Sequence, residues 1–163
     1  MRLSGIVAVA ALGLFSMQVT AQTCTQDLSG EWTREAAAGA TPDELYRAEG
    51  SGWGSPISIK QDAARVTVEY AFFSRGDMQP PLRFVYAPGA EATVNTVMMG
   101  HGAQRQVSTA RWDGCRLVIT TRHEVGEVTQ ILWLESPSQL VVETRRGPAA
   151  ATRTNYLRVV PGK

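Results

Sequence analysis

Apolar and polar residues alternate with a period of two through most of the chain beyond residue 30, the spacing that puts successive side chains on opposite faces of a strand. The alternation runs through "GEWTR" (30–34), "SPISIKQ" (55–61), "ARVTVEYAFF" (64–73), "PLRFVYAP" (81–88) and "EATVNTVMM" (91–99). It continues on either side of Asp113-Gly114, then in "EVTQILWLE" (127–135), "QLVVETRR" (139–146) and "TRTNYLRVV" (152–160). About ten short strands separated by turn residues predict an all-β barrel or sandwich. The links "QDA", "APGA", "DG", "VG" and "SPS" are short, so strands adjacent in sequence should pair as antiparallel hairpins. Residues 35–54 break the pattern with a helical turn expected around Pro42 to Arg47 and a Gly-rich end. A link of that length reads as a functional lid or a disordered loop.

Register assigned from the turns gathers one face. With Asp113-Gly114 as a two-residue turn, Trp112 opposes Cys115, Ala110 opposes Leu117, Ser108 opposes Ile119, Gln106 opposes Thr121 and Gln104 opposes His123. The opposite face carries Arg105, Arg111, Arg116 and Arg122 and belongs to solvent. A turn at Val125-Gly126 sets Leu117 against Leu134, Ile119 against Leu132, Thr121 against Gln130 and His123 against Val128. A three-residue "SPS" turn then sets Leu132 against Val142, Gln130 against Thr144 and Val128 against Arg146. Four strands thus share a gradient from aliphatic residues through Gln and Thr to Gln104, His123 and Arg146. Buried amides need partners, so a filled sandwich has little use for such a belt. A barrel plugged at one end and hydrated at the other accounts for it; the plainer reading is that the strands run past the core.

The start of the chain changes the picture of where this barrel works. Arg2, the apolar run "GIVAVAALGLF" and the small residues "VTA" ending at Ala21 have the layout of a signal peptide, 1–21, followed by one domain, 22–163. No later apolar run approaches the ~18 residues of a spanning helix, so no stable membrane insertion is expected after cleavage. The expected location is periplasmic or secreted, where two cysteines most simply form one disulfide, Cys24 to Cys115, with free thiols or a metal role as the alternative. The formal net charge is +1 with basic residues scattered along strands, so nucleic-acid binding has no support.

The opening strand "DLSGEWTR", with Gly30 and Trp32 as Gly-x-Trp, resembles that of the calycins, the lipocalins, fatty-acid-binding proteins and avidins. The resemblance implies an antiparallel up-and-down barrel of eight to ten strands that often holds a small apolar or amphipathic ligand. It also implies that Trp32 lies across the closed end under an Arg near the last strand, Arg158 first and Arg153 second. The segments "ISIKQD", "ARWDGCRLVITT" and "TQILWLESPSQLVVE" are similar to bacterial exported lipocalin-like proteins of unassigned function. The middle lipocalin motifs are absent. Within this resemblance both cysteines fall near the Trp32 plug.

Candidate chemistry is sparse. His101 and His123 have no second ligand at metal spacing, and no nucleophile elbow, phosphate loop or dinucleotide fingerprint is present. Met98, Met99 and His101 lie close enough in sequence to suggest haem, but no cofactor is implied. His123 and Glu124 point to opposite faces and cannot act together on one substrate. Tyr70, Phe72, Phe84 and Tyr86 alternate and should face the interior, and Asn95 is a further inward polar candidate. Arg75-Gly76-Asp77 is discounted as a chance tripeptide. The sequence therefore predicts a monomeric binder of a small apolar or amphipathic molecule. Its site comprises Gln104, Gln106, Thr121, His123, Gln130, Thr144, Tyr86 and Asn95, above a floor of Leu117, Ile119, Leu132 and Val142. The rival readings are a cofactor-free isomerase, cyclase or hydrolase using His123 or His101, and an envelope accessory protein with a filled barrel that acts by protein contact.

Overall fold

A computed structural model describes residues 24–36, 50–74, 77–99, 102–123 and 126–160, without the side chains of 72–79, 98 and 99. The segment expected to be a signal peptide, the segment Pro42 to Arg47 where a turn was expected, His101, Glu124 and the side chains of Phe72, Met98 and Met99 lie outside the described residues. The strands are β1 (Gly30–Arg34), β2 (Ile57–Gln61), β3 (Val66–Ser74), β4 (Asp77–Tyr86), β5 (Thr93–Met99), β6 (Gly102–Asp113), β7 (Arg116–His123), β8 (Gly126–Ser136), β9 (Gln139–Arg146) and β10 (Thr152–Arg158). They form one antiparallel sheet in the order β4-β3-β2-β1-β10-β9-β8-β7-β6-β5, which rolls up into a nearly closed barrel. The two end strands, β4 and β5, face each other without a ladder. Asn95 bridges them instead, accepting from Val85 N at 2.8 Å and donating to Val85 O at 3.0 Å, while Thr93 Oγ1 accepts from Ala87 N. Being an end strand lets β4 begin at Asp77, earlier than the sequence suggested, and run through Pro80 and Pro81, whose missing N–H groups would break an interior ladder.

The β8–β9 register is the expected one, with Gln130 opposite Thr144 and Val128 opposite Arg146. Two other registers shift by two residues. Asp113 pairs with Arg116, so the tight turn is Gly114-Cys115, with Gly114 at φ 58 in the first central position, where a primed turn needs a positive φ. Ser108 therefore opposes Thr121, and Trp112 opposes Leu117. His123 pairs with Gly126, which places Ile119 opposite Gln130 and Thr121 opposite Val128. A shift of two leaves every side chain on its original face, so the inner and outer sets survive.

At the closed end Trp32 is fully buried, and its indole N–H donates to Leu28 O at 3.1 Å. The Arg158 guanidinium lies 4.2 Å from the centre of the Trp32 ring and donates to Ser29 O and Pro137 O. Gly30 has φ 148, and a Cβ there would stand 2.5 Å from Arg158 Nη1. The glycine, the tryptophan and the arginine are thus one unit, since any side chain at 30 would lift the guanidinium off the ring. Arg153, the second candidate for that position, lies outside the barrel, 5.8 Å from the Trp133 ring and ion-paired with Glu135. Leu28, Ile57, Leu117, Ile119, Leu132, Leu140 and Val142 complete the core around Trp32. Cys24 and Cys115 form a disulfide across 91 residues, joining the chain before β1 to the β6–β7 turn. Closing a loop of that length contributes about 4 to 5 kcal/mol on the chain-entropy estimate.

The open end is closed by the chain itself. Residues 50–55 turn inward, burying Ser51, Trp53 and Ser55, and three inward tyrosines meet them. The Tyr156 and Ser51 hydroxyls lie 2.8 Å apart, with Gly54 O 3.2 Å from Tyr156 Oη, and Tyr70 Oη makes a long 3.5 Å approach to Gly52 O.

Truncating the buried indole in Trp32→Ala should cost about 3 to 5 kcal/mol. Urea denaturation should show it as a lowered midpoint; an unchanged midpoint would contradict the closed-end packing. A second expectation concerns alkaline pH. Burial pushes the Tyr70 and Tyr156 hydroxyls up to about 12, and raises Tyr86 as well. Unfolded tyrosine titrates near pH 10, so the stability tied to these neutral phenols is intact below ~10 and lost as pH rises toward ~12. Ultraviolet titration should find Tyr70, Tyr86 and Tyr156 un-ionised at about pH 11 in the folded protein and ionised once urea is added. Full ionisation in the native state at that pH would show the hydroxyls to be solvated.

Candidate functional site

Antiparallel pairing brings inward residues from six strands to the open half of the barrel, and a cavity of about 210 Å³ remains between them and the inserted segment. β3 and β4 supply an aromatic wall of Tyr70, Phe84 and Tyr86, in which the Tyr70 and Phe84 rings are near-parallel at 5.8 Å. β6 to β9 supply a polar side of Gln106, Thr121, His123, Gln130 and Arg146, with Val128 among them. Gly52 and Trp53 of the inserted segment complete the lining.

The lining therefore brings together Gln106, Thr121, His123, Gln130 and Tyr86 of the sequence-predicted set. Three others stand elsewhere. Gln104 is exposed, because β6 runs on past the cavity toward its end at Gly102. Asn95 is buried, but its amide is committed to the β4 backbone. Thr144 is buried beside Gln130 in the β8–β9 pair without lining the cavity, and its hydroxyl has no partner. The predicted floor residues, Leu117, Ile119, Leu132 and Val142, are packed into the solid core and none reaches the cavity. What the sequence reading left out is Gly52 and Trp53. Their signal was a lone large aromatic inside "GSGWG", where glycines permit a sharp inward turn: Gly50 and Gly52 have φ 74 and 83.

The polar side is rich in donors. Gln130 Nε2 donates to Ser51 O at 2.6 Å, and Arg146 Nη1 donates to Gly50 O at 3.0 Å. Arg146 Nη2 and Gln130 Nε2 each lie 3.4 Å from where a Cβ on Gly52 would sit, so both reach over the same backbone. Ser108 and Thr121 pair their hydroxyls at 2.8 Å, and His123 stands exposed at the rim. No aspartate or glutamate is among the described residues that line the cavity. Nor does any group of three His, Cys, Asp or Glu side chains converge as a metal site would require, among the described residues.

A larger hollow of about 400 Å³ lies at the opposite end, between the chain before β1, the β2–β3 turn, Pro88 and Trp112. It is an open furrow at the closed end, with the inward Val66 and Trp112 in its lining. Its carboxylates are already engaged: Asp27 accepts from Ser29 N, and Asp62 accepts from Ala64 N and Arg65 N. We therefore place the candidate site in the smaller cavity inside the barrel.

No family model and no curated protein matches the sequence. Solved structures do match the fold. The "REP1-NXSQ fatty acid transporter" superposes with a TM-score of 0.53 at 13% identity, over 83% of this chain and 98% of that one. Human cRBP IV superposes with 0.52 at 17% identity, over 82% and 99%. The wild-type fluorescent protein UnaG superposes with 0.55 at 16% identity, over 81% and 97%. At these identities the likeness establishes architecture: the chain has the ten-stranded, nearly closed barrel of the calycin fold.

Proposed function

We propose that this protein is an exported lipocalin-like barrel that binds a small apolar or amphipathic molecule in the cavity beneath its open end. The observation that carries the reading is one cavity with an aromatic wall on β3 and β4 and a donor-rich rim on β6 to β9. An apolar group placed against the wall leaves water at ~25 cal/mol per Å² buried, while rim donors orient a polar end. One structural neighbour is described as a fatty acid transporter, which fits the same use of the fold. The N-terminal pattern of Arg2, an apolar run and "VTA" supports export, as does the disulfide. A cofactor-free enzyme acting through His123 has less support, because no carboxylate among the described lining residues stands ready to work with it.

Organic extraction of the purified protein followed by mass spectrometry should release one class of small molecule in near-equal amount to protein. The extracted compound should rebind, and His123→Ala should weaken it by roughly two- to tenfold, the value of one hydrogen bond, with the melting midpoint unchanged. Extracts that hold nothing, from protein that also binds none of a panel of apolar acids, alcohols and amines, would overturn the reading.

A further inference from the structure

We infer that the cavity is built for a small aromatic carboxylate, a single ring with a short acidic arm, and against long-chain amphiphiles. The inference rests on the binding role proposed above and narrows it to a ligand class. Three independent features of the site lead there.

The first is size. A buried cavity of ~150 Å³ holds benzene, so about 210 Å³ takes a ring and roughly two or three further heavy atoms. An extended chain of about ten carbons needs more depth than this, and the depth is limited by Trp53. That residue is 2% exposed, and its backbone N–H and C=O are both held by the Ser51 hydroxyl, 3.1 and 3.0 Å away. Its neighbours Ser51 and Gly50 are held by Gln130 and Arg146. Displacing the floor would break several buried hydrogen bonds together, so Trp53 acts as a depth stop and is the residue that sets ligand length.

The second is the wall. Tyr70 and Phe84 present near-parallel rings on one side, and Tyr86 and Trp53 add two more aromatic surfaces. A flat ring gains stacking and edge contacts there beyond simple area burial, which an alkyl chain does not.

The third is charge. The rim holds the Arg146 guanidinium, with the His123 imidazole and the Gln130 amide beside it, and no acidic side chain among the described lining residues. Arg146 spends one N–H on Gly50 O, and a guanidinium carries five in a planar fork suited to carboxylate. A ring seated against Phe84 with an arm pointing outward would bring its carboxylate to this rim.

The test is calorimetric titration of the mature protein with phenylacetate, phenylacetamide and decanoate. Phenylacetate should bind at least tenfold more tightly than either of the other two. Arg146→Gln should abolish the preference for phenylacetate over phenylacetamide, and Trp53→Ala, in a variant shown to be folded by circular dichroism, should improve decanoate binding at least tenfold. Decanoate binding more tightly than phenylacetate to the unaltered protein would overturn the aromatic assignment while leaving a ligand-binding barrel intact. Equal affinities for phenylacetate and phenylacetamide would overturn the anionic part. Binding of none of the three would remove this inference, and the empty extract described above would separately remove the binding role.

Discussion

A buried donor left without an acceptor costs about 1 to 3 kcal/mol, and the upper half of this barrel carries several on its inner face. Gln130, Tyr156 and Tyr70 point inward from buried positions, and Arg146 reaches over from the exposed rim. The backbone of residues 50–54 answers that demand: Gly50, Ser51, Gly52 and Gly54 offer carbonyl oxygens to these four side chains. Satisfying the donors draws the chain inward, and drawing it inward seats Trp53 in the barrel. The size of the cavity, the composition of its lining and the depth at which the core begins all follow from that one exchange of hydrogen bonds.

The two ends of the barrel use the same chemistry. At the closed end Trp32 donates to Leu28 O, and Arg158, stacked on its ring, donates to Ser29 O and Pro137 O. At the open end Trp53 is framed by tyrosines and by side chains that bond its own segment. Each tryptophan brings a large apolar surface that fills the bore, and each is fixed by groups that bond non-repetitive backbone rather than a ladder. The aliphatic band between them, Ile57, Ile59, Leu117, Ile119, Leu132, Leu140 and Val142, needs only volume and the correct face. That division explains why the polar residues of the chain decide the site, while its aliphatic residues decide only that there is a barrel.

Strand existence and facing were legible in the sequence because a period of two is insensitive to register errors of two. The turn at Gly114-Cys115 was misplaced by one position and the β7–β8 turn likewise, which together changed every partner of β7 yet moved no side chain to the wrong face. Gln106, Thr121, His123 and Gln130 were accordingly placed on the cavity side despite wrong partners. Asn95 was misread because alternation reports which face a residue occupies and says nothing of what its amide bonds. It closes the gap between the end strands, a need that arises only once the sheet order is known. Gln104 falls outside the lining for a different reason: it shares the face but lies beyond the β6–β7 ladder, where β6 is paired with β5 alone. The inserted segment was illegible in most respects: its contribution is made by backbone carbonyls, which every residue has. Only the isolated Trp53 among glycines marked it.

The central claim is that ligand enters between Trp53 and the aromatic wall, inside the barrel. Amide chemical-shift mapping during a titration with a bound small molecule reads the location directly. The account predicts shifts concentrated at Gly52, Trp53, Thr121 and Gln130, with the Trp53 indole N–H among the largest and Trp32 unmoved. Shifts gathered instead at Asp62 to Val66 and Trp112, in the furrow at the closed end, would contradict it.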